Sequence, residues 1–371
     1  MGNLRRTEVL VAGGGPAGLA AAIAARQAGF EVAVVDCAQP PIDKACGEGI
    51  MPDGLAALSA LGIHIDARHA APFRGIRFIN GPREVEASFP CGVGYGIRRT
   101  LLHQWLVDRA TECGVSLHWG RRITGLSPEG LLVEGDVISS RWLICADGQN
   151  SKLRKLSGLD PSHPPRSRFG FRRHYRVAPW SEFVEVYWSD LGQMYVTPVA
   201  EDQVCVALIT SRSGPRFDAA LPSFPQLAAR LQQATILGTT LGATTASRRL
   251  RNVQTGTVAL IGEAAGSVDA ITGEGLSIAF QQAVALANAM RSGDLNPYDE
   301  AHARVTRTPR RMAALMLLMD KRRWLRDRAF RALTADPDFF GKMLAMHTGT
   351  LAPVEFGIGP SLSFGWHLLT A

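Results

Sequence analysis

What this chain of 371 residues lacks narrows its function before any motif is read. No run of 18 apolar residues is free of glycine, proline and charge, so no membrane-spanning helix is expected. The six cysteines, Cys37, Cys46, Cys91, Cys113, Cys145 and Cys205, form no CxxC pair. The nine histidines form no HxxxH or HxxE cluster, and none joins a cysteine at zinc spacing, so no metal is expected. Cysteines scattered in this way read as reduced thiols, which points to a cytoplasmic enzyme. Aromatic residues make up only 7% of the chain and do not interleave with its basic residues. The net charge of +7 therefore gives no nucleic-acid module, and no nucleic-acid partner is expected. Met1-Gly2 is followed by Arg6 where N-myristoylation requires Ser or Thr. Internal repeats and low-complexity linkers are also missing, so the domains are expected to interleave.

What the chain does have is the stretch VLVAGGGPAGLAAAIAARQAGFEVAVVD, from Val9 to Asp36. A short β-branched run predicts a buried strand. Gly13, Gly15 and Gly18 follow at GxGxxG spacing, then a run of strong helix formers that Gly29 stops. A second strand ends on Asp36. This order of strand, glycine turn, helix, strand and acid is a dinucleotide-binding βαβ unit. Gly13 permits the tight turn, Gly15 the approach of a diphosphate, and Gly18 the packing of helix on strand. The helix N-terminus offers free N–H groups and a positive dipole end to the phosphates. Asp36 suits two ribose hydroxyls and repels a 2′-phosphate, so FAD or NAD is expected in preference to NADP.

Three later stretches decide between FAD and NAD. In RWLICADGQNSKLRKLSG a strand runs into Asp147-Gly148, with a helix starting near Ser151. In GTVALIGEAAGSVDAITGEGLSIAFQQAVALANAM a strand runs into Gly262-Glu263, and Gly273-Glu274-Gly275 opens a long helix. GIRRTLLHQWLVDRA is a helix led by Arg99. Over about the first 300 residues, this combination resembles the flavoprotein superfamily of aromatic hydroxylases, flavin-dependent halogenases and geranylgeranyl reductases. The resemblance implies that Gly13, Gly15, Pro16, Ala17, Gly18 and Asp36 hold the ADP half of FAD. It places Arg99 on the phosphates or ribityl chain, Asp147-Gly148 beside the cofactor, and Gly262-Glu263 on the ribityl. Glu263 departs from the Asp usual there by one methylene. Gly273, Gly275 and Leu276 would lie at the flavin N1–C2=O edge, where a helix N-terminus stabilises the charge of reduced flavin by about 1 kcal/mol.

Within that superfamily, Gly266, GEG rather than Gly-Gln-Gly, and KACGEGIMPDGLAAL (residues 44–58) look most like the geranylgeranyl reductase group. The WxWxIP motif of halogenases is missing. In that group the loop carrying Cys46 passes near the flavin ring. Cys46 is a candidate proton donor or a small buried hydrophobe; Glu48 is a flavin-proximal acid or a solvent-facing one. No second nucleotide motif is found, because CGVGYGIRR lacks the required glycine. Electrons are expected from NAD(P)H bound transiently or from a separate reductase.

The expected architecture is α/β: a three-layer Rossmann-like FAD-binding domain, an inserted antiparallel β-sheet substrate domain and a C-terminal helical segment. The FAD-binding domain is assigned to residues 1–72, 95–165 and 246–296, the substrate domain to 73–94 and 166–245, and the helical segment to 297–371. Tyr187, Met194, Tyr195 and Thr197 are candidates for the pocket-facing side of the substrate sheet, or plain sheet core. FRRHYR (Phe171–Arg176) offers cations to an anionic substrate group, or is the solvated face of an edge strand. The C-terminal helices, basic on one face, have three readings: packing on the FAD-binding domain, capping an apolar tunnel, or peripheral contact with a membrane. The function expected is hydride transfer from flavin N5 to a C=C bond of a small lipophilic substrate, isoprenoid- or polyketide-like. The alternative is a monooxygenase acting through a flavin hydroperoxide. A third class, a protein that holds FAD without turnover, stays open because of Glu263.

Overall fold

A computed structural model describes residues 4–160, 166–212 and 216–351. The expected first unit forms as β1 (Arg6–Ala12), α1 (Pro16–Gln27) and β2 (Val32–Asp36). Val9 to Ala12 and Val32 to Val35 are buried throughout. A parallel strand covered on both faces has no polar side, which is why these runs are continuously apolar. The helix stops at Gly29, whose φ of +96° only glycine adopts readily.

The chain continues through β3 (Gly49–Ile50), α2 (Pro52–Ala60), β4 (Ala71–Phe73), β5 (Gly75–Asn80), β6 (Arg83–Ser88) and β7 (Gly94–Gly96). Next come α3 (Arg99–Glu112), β8 (Ser116–Trp119), β9 (Ile123–Ser127), β10 (Gly130–Val133), β11 (Asp136–Cys145) and α4 (Lys152–Leu156). Strands β12 (Arg166–Arg176), β13 (Phe183–Ser189), β14 (Gly192–Ala200) and β15 (Gln203–Thr210) follow. Then come α5 (Phe217–Ala220), α6 (Pro225–Leu231), β16 (Thr235–Ser247), β17 (Gln254–Thr255) and β18 (Val258–Leu260). Four helices close the described chain: α7 (Gly275–Ser292), α8 (Asn296–Lys321), α9 (Arg323–Ala335) and α10 (Pro337–His347).

The first sheet runs β17-β18-β11-β1-β2-β8, with β10 paired to β11 and β9 to β10. Its β2, β1, β11 and β18 are parallel, with Ala12 opposite Val35 on one side and Cys145 on the other. The chain leaves β1 toward β2 on one side and reaches β11 on the other. That reversal opens a crevice beyond the carboxyl ends of the strands, where doubly wound folds take their ligands.

The second sheet, β16-β12-β15-β14-β13-β5-β6, is antiparallel except where β13 meets β5. Alternation splits its two faces. Val186, Tyr195 and Ala207 lie in one row on the side of the cavity described below. Tyr187 and Met194, also opposite one another, pack on the far side with Phe217 and Leu227. Of the four pocket candidates, Tyr195 and Thr197 reach the cavity, whereas Tyr187 and Met194 do not. FRRHYR is corrected as well: β12 lies between β16 and β15 rather than at an edge, and Arg172, Arg173 and His174 are buried. Arg172 is paired with Asp43 and Arg173 with Asp218, so neither guanidinium is free to grip a substrate anion.

The C-terminal helices combine two of their three readings. Helix α8 packs on α7, while α9 and α10 pack on β6 at the rim of the second sheet rather than on the parallel sheet. Met316, Leu333, Phe340 and Met343 from these helices wall an apolar cavity. The tail from residue 352 lies outside the described residues. No described helix is long and apolar enough to cross a membrane.

Candidate functional site

Strand β1 delivers the chain to Gly13 with φ +116°, where a Cβ would run into the Ala146 carbonyl. A Cβ on Gly18 would strike the Gly13 carbonyl, so both positions require glycine for close packing. Gly15 is different: nothing lies within 4 Å of its missing Cβ, and it faces the cavity. Gly148, Gly273 and Gly275 are equally bare and line the same cavity. Bare glycines gathered from the ends of β1 and β11 and the start of α7 form a cradle that a Cβ would fill. Asp36 at the end of β2 accepts from Gly14 N–H at 2.6 Å and Ala38 N–H at 2.7 Å. A carboxylate retains further lone pairs for hydroxyl donors.

His103 in α3 is a positioning residue that sequence reasoning missed. Its Nδ1 accepts from Ile42 N–H at 3.4 Å, so Nε2 carries the hydrogen and donates to the Gly14 carbonyl at 2.8 Å. Burial lowers its pKa and holds it in that neutral form.

Arg99, at the head of α3, is buried, lines the cavity and has no ion-pair partner among the described residues. An unpaired buried guanidinium is costly unless an anion completes it. Asp147 binds Leu153 N–H through Oδ2, while its buried Oδ1 has no partner. Glu263 lines the cavity, and its carboxylate meets Lys44 Nζ at 2.5 Å. Both side chains are substantially exposed, so this pair contributes little stability. At the start of α7, Gly273, Gly275 and Leu276 line the cavity, and buried Glu274 faces His347 of α10 at 3.4 Å. Burial, then the nearby Asp53 charge, pushes the Glu274 pKa well up; burial lowers His347 to about 4.

A second group converges on the loop after β2. Glu48, at φ +61°, is buried rather than solvent-facing. Its Oε1 accepts from Arg99 N–H at 2.9 Å, and its Oε2 lies 2.6 Å from His174 Nε2. His174, Cys205 and Thr197 are cross-strand neighbours on β12, β15 and β14, and Glu48 sits against that row. Glu48, His174 and Cys205 stand close enough together to suggest a metal site. Arg172 argues against it. The guanidinium donates to His174 Nδ1 at 2.9 Å, because arginine has only donors. The ring hydrogen must then sit on Nε2, which points it at Glu48 and removes the lone pair a metal would need. The cluster is a hydrogen-bonded carboxyl–imidazole pair oriented by Arg172. Beside it, Cys46 lines the cavity and its Sγ accepts from Glu48 N–H at 3.4 Å. Burial pushes the Cys46 thiol up, partly offset by the Arg99 charge.

These groups open onto one cavity of about 970 Å³. One end is the glycine cradle with Asp36, Arg99 and Asp147. The other is apolar, between Val184, Tyr195 and Ile209 of the sheet and Met316, Leu333 and Phe340 of the helices. Sequence reasoning found the first end because its motifs are contiguous. It missed Cys205 and Lys44, and it read Arg172 and His174 in FRRHYR as a substrate grip or a solvated face; only pairing between distant strands and loops brings these residues together, and the shared parity of Arg172 and His174 was the available signal.

The residues fit a flavin adenine dinucleotide. The orphan Arg99 suits its diphosphate, the bare glycines suit close backbone approach, and the free Asp147 oxygen suits a donor on the cofactor. Comparison with known proteins agrees. The sequence model of a family described as "FAD binding domain" matches residues 6–292. The chain is 27% identical to the menaquinone reductase of Mycolicibacterium smegmatis, across 84% of this chain and 85% of that protein. It is 28% identical to digeranylgeranylglycerophospholipid reductase 2 of Methanopyrus kandleri, across 72% of this chain and 73% of that protein. The solved structure of a flavoprotein/dehydrogenase from Cytophaga hutchinsonii superimposes with a TM-score of 0.82 at 19% identity. The match covers 98% of this chain and 100% of that one, and shows a shared fold.

Proposed function

The chain belongs to the FAD binding domain family of flavin-dependent oxidoreductases, and on that premise we propose that it saturates a C=C bond of a long lipophilic substrate, isoprenoid-like in shape. The observation that carries this reading is the continuity of the glycine cradle with an apolar chamber walled by the second sheet on one side and the C-terminal helices on the other. The reductases among its relatives, which act by name on menaquinone and digeranylgeranylglycerophospholipid, support the substrate class.

Gly13 to Gly18 and the α1 N-terminus would hold the diphosphate, Asp36 the adenosine ribose, and Arg99 the phosphates. Lys44 and Glu263 would meet the ribityl chain. Bound FAD would supply a hydride from its N5 to one carbon of the double bond. The electron pair left on the neighbouring carbon takes a proton, and the candidate donor is Cys46. Its raised pKa keeps the thiol protonated until the substrate demands the proton. The Glu48 N–H at Sγ and the Arg99 charge then stabilise the thiolate that remains. The Glu48–His174 pair positions this loop. Met316, Phe340 and their neighbours orient the chain and exclude water. Reducing equivalents come from NAD(P)H bound transiently or from a separate reductase.

The test is an anaerobic single turnover in deuterated buffer, with FAD-loaded, dithionite-reduced protein and a polyprenyl quinone or polyprenyl lipid. The proposal expects flavin reoxidation without oxygen and a saturated product carrying two solvent deuterium atoms, one on each carbon of the former double bond, because the N5 hydrogen and the thiol hydrogen both exchange with the buffer. Reoxidation only with oxygen, with label from dioxygen in the product, would overturn it in favour of monooxygenation.

A further inference from the structure

Between Met312 and Met319, helix α8 reads MAALMLLM and is apolar on every side. Its inner face, with Met316 and Met319, walls the cavity. Its outer face is open: Leu315 is 37% and Leu318 48% exposed, and both also line the cavity, which puts them at its mouth. Around the corner, Trp324 at the start of α9 is 58% exposed. A helix apolar all round is normally covered on all sides, so this one has a partner for its outer face.

The charges around the face identify that partner. From Arg304 to Arg331 the chain carries ten Arg and Lys against two Asp, enough to account for its whole net positive charge. Arg323 and Arg326 are tied to Asp190. Arg307, Arg311, Lys321 and Arg322 are exposed and have no ion pair among the described residues. Arg307, Arg311, Leu315 and Leu318 follow each other at intervals of three or four, so they share one stripe of α8, and Arg322 stands at the corner just beyond the helix end. The Arg328 guanidinium lies 5.6 Å from the Trp324 ring centre. Exposed leucines and a tryptophan flanked by unpaired cations match the interfacial layer of an anionic bilayer, where rings and aliphatic chains enter the acyl boundary and the cations meet lipid phosphates.

We infer that this stripe and the α8–α9 corner seat the protein on an anionic lipid surface, with the mouth of the cavity turned toward the acyl layer. The docking surface stands on its own; only its use in taking substrate from the membrane rests on the proposed function.

The test is co-sedimentation of FAD-loaded protein with phosphatidylcholine vesicles, with and without phosphatidylglycerol. Binding is expected only with phosphatidylglycerol, and it weakens as salt rises. Neutralising one interfacial cation lowers partition about fivefold, so R311Q/K321Q/R322Q is expected to lose about a hundredfold. W324S is expected to lose about tenfold through its buried apolar area. These side chains are exposed, and unchanged flavin content confirms that the variants fold. On detergent-dispersed substrate the triple variant keeps its rate; on vesicle-borne substrate it slows. Absence of binding to anionic vesicles, or equal binding by wild type and triple variant, overturns the inference. So does a dimer that buries Trp324 and leaves vesicles unbound. A protein that binds vesicles yet turns over no isoprenoid would sink the proposed function and leave this surface standing.

Discussion

Replacing Glu48 by Gln tests the hydrogen-bond logic at the centre of the site. The Glu48 carboxylate receives two donors, Arg99 N–H at 2.9 Å and His174 Nε2–H at 2.6 Å, with Arg172 at 3.9 Å. A glutamine has one acceptor oxygen, so its NH2 must face one of those donors. The ring cannot relieve the clash: an acceptor at Nε2 requires a hydrogen on Nδ1, where Arg172 already donates. The substitution therefore breaks a buried charge-assisted pair and leaves Arg172 undercompensated. A hydrogen bond to a buried charged group contributes about 1.5–3 kcal/mol. Urea unfolding followed by circular dichroism should show that loss in E48Q. A loss below about 1 kcal/mol would mean that the assigned tautomer of His174 is wrong.

Four other substitutions probe separate parts of the account. G15V places a side chain where nothing lies within 4 Å, so unfolding of FAD-free protein should be unchanged while flavin fluorescence titration shows FAD affinity lowered at least about a hundredfold. R99A removes an unpaired buried guanidinium; FAD affinity should fall about tenfold to a hundredfold without loss of stability in the FAD-free protein. Glu274 is held protonated, so its contribution to stability is full below the ordinary carboxyl value of 4.5 and declines as pH rises. His347 is held neutral, so its contribution is full above 6.5 and lost as pH falls toward about 4. Of these two groups only Glu274 makes stability fall as pH rises, and E274Q should flatten that fall; an unchanged slope refutes the assignment. M316W fills the apolar end of the cavity and should raise KM for long-chain substrates while sparing short ones, read from steady-state kinetics.

The cofactor end was legible because its chemistry is local. Gly13 to Asp36 and Asp147-Gly148 each join a strand end, a turn and a helix start, Gly273 to Leu276 is a turn that opens a helix, and a turn that needs glycine declares itself in sequence. The neighbourhood of Glu48 is made by pairing at long range. His174 meets Glu48 only because β12 lies beside β15 and the loop after β2 folds beneath them. The choice of Met194 with Tyr195 as joint pocket residues ignored the pleat, since consecutive strand residues face opposite ways. FRRHYR looked solvated because charge was weighed before partners; Asp43 and Asp218, which bury its arginines, are far away in sequence. The C-terminal helices carried an apolar face whose partner, the rim of the second sheet at β6, depended on the topology of the whole.

Equilibrium titration of the flavin-free protein with FAD and with FMN tests the central claim most directly. If the diphosphate lies on α1 and the ribose on Asp36, the ADP half supplies most of the grip. One FAD should then bind per chain, at least about a hundredfold tighter than FMN, with quenching of flavin fluorescence. Equal affinity for the two flavins, or a protein that stays colourless in FAD, would contradict the account.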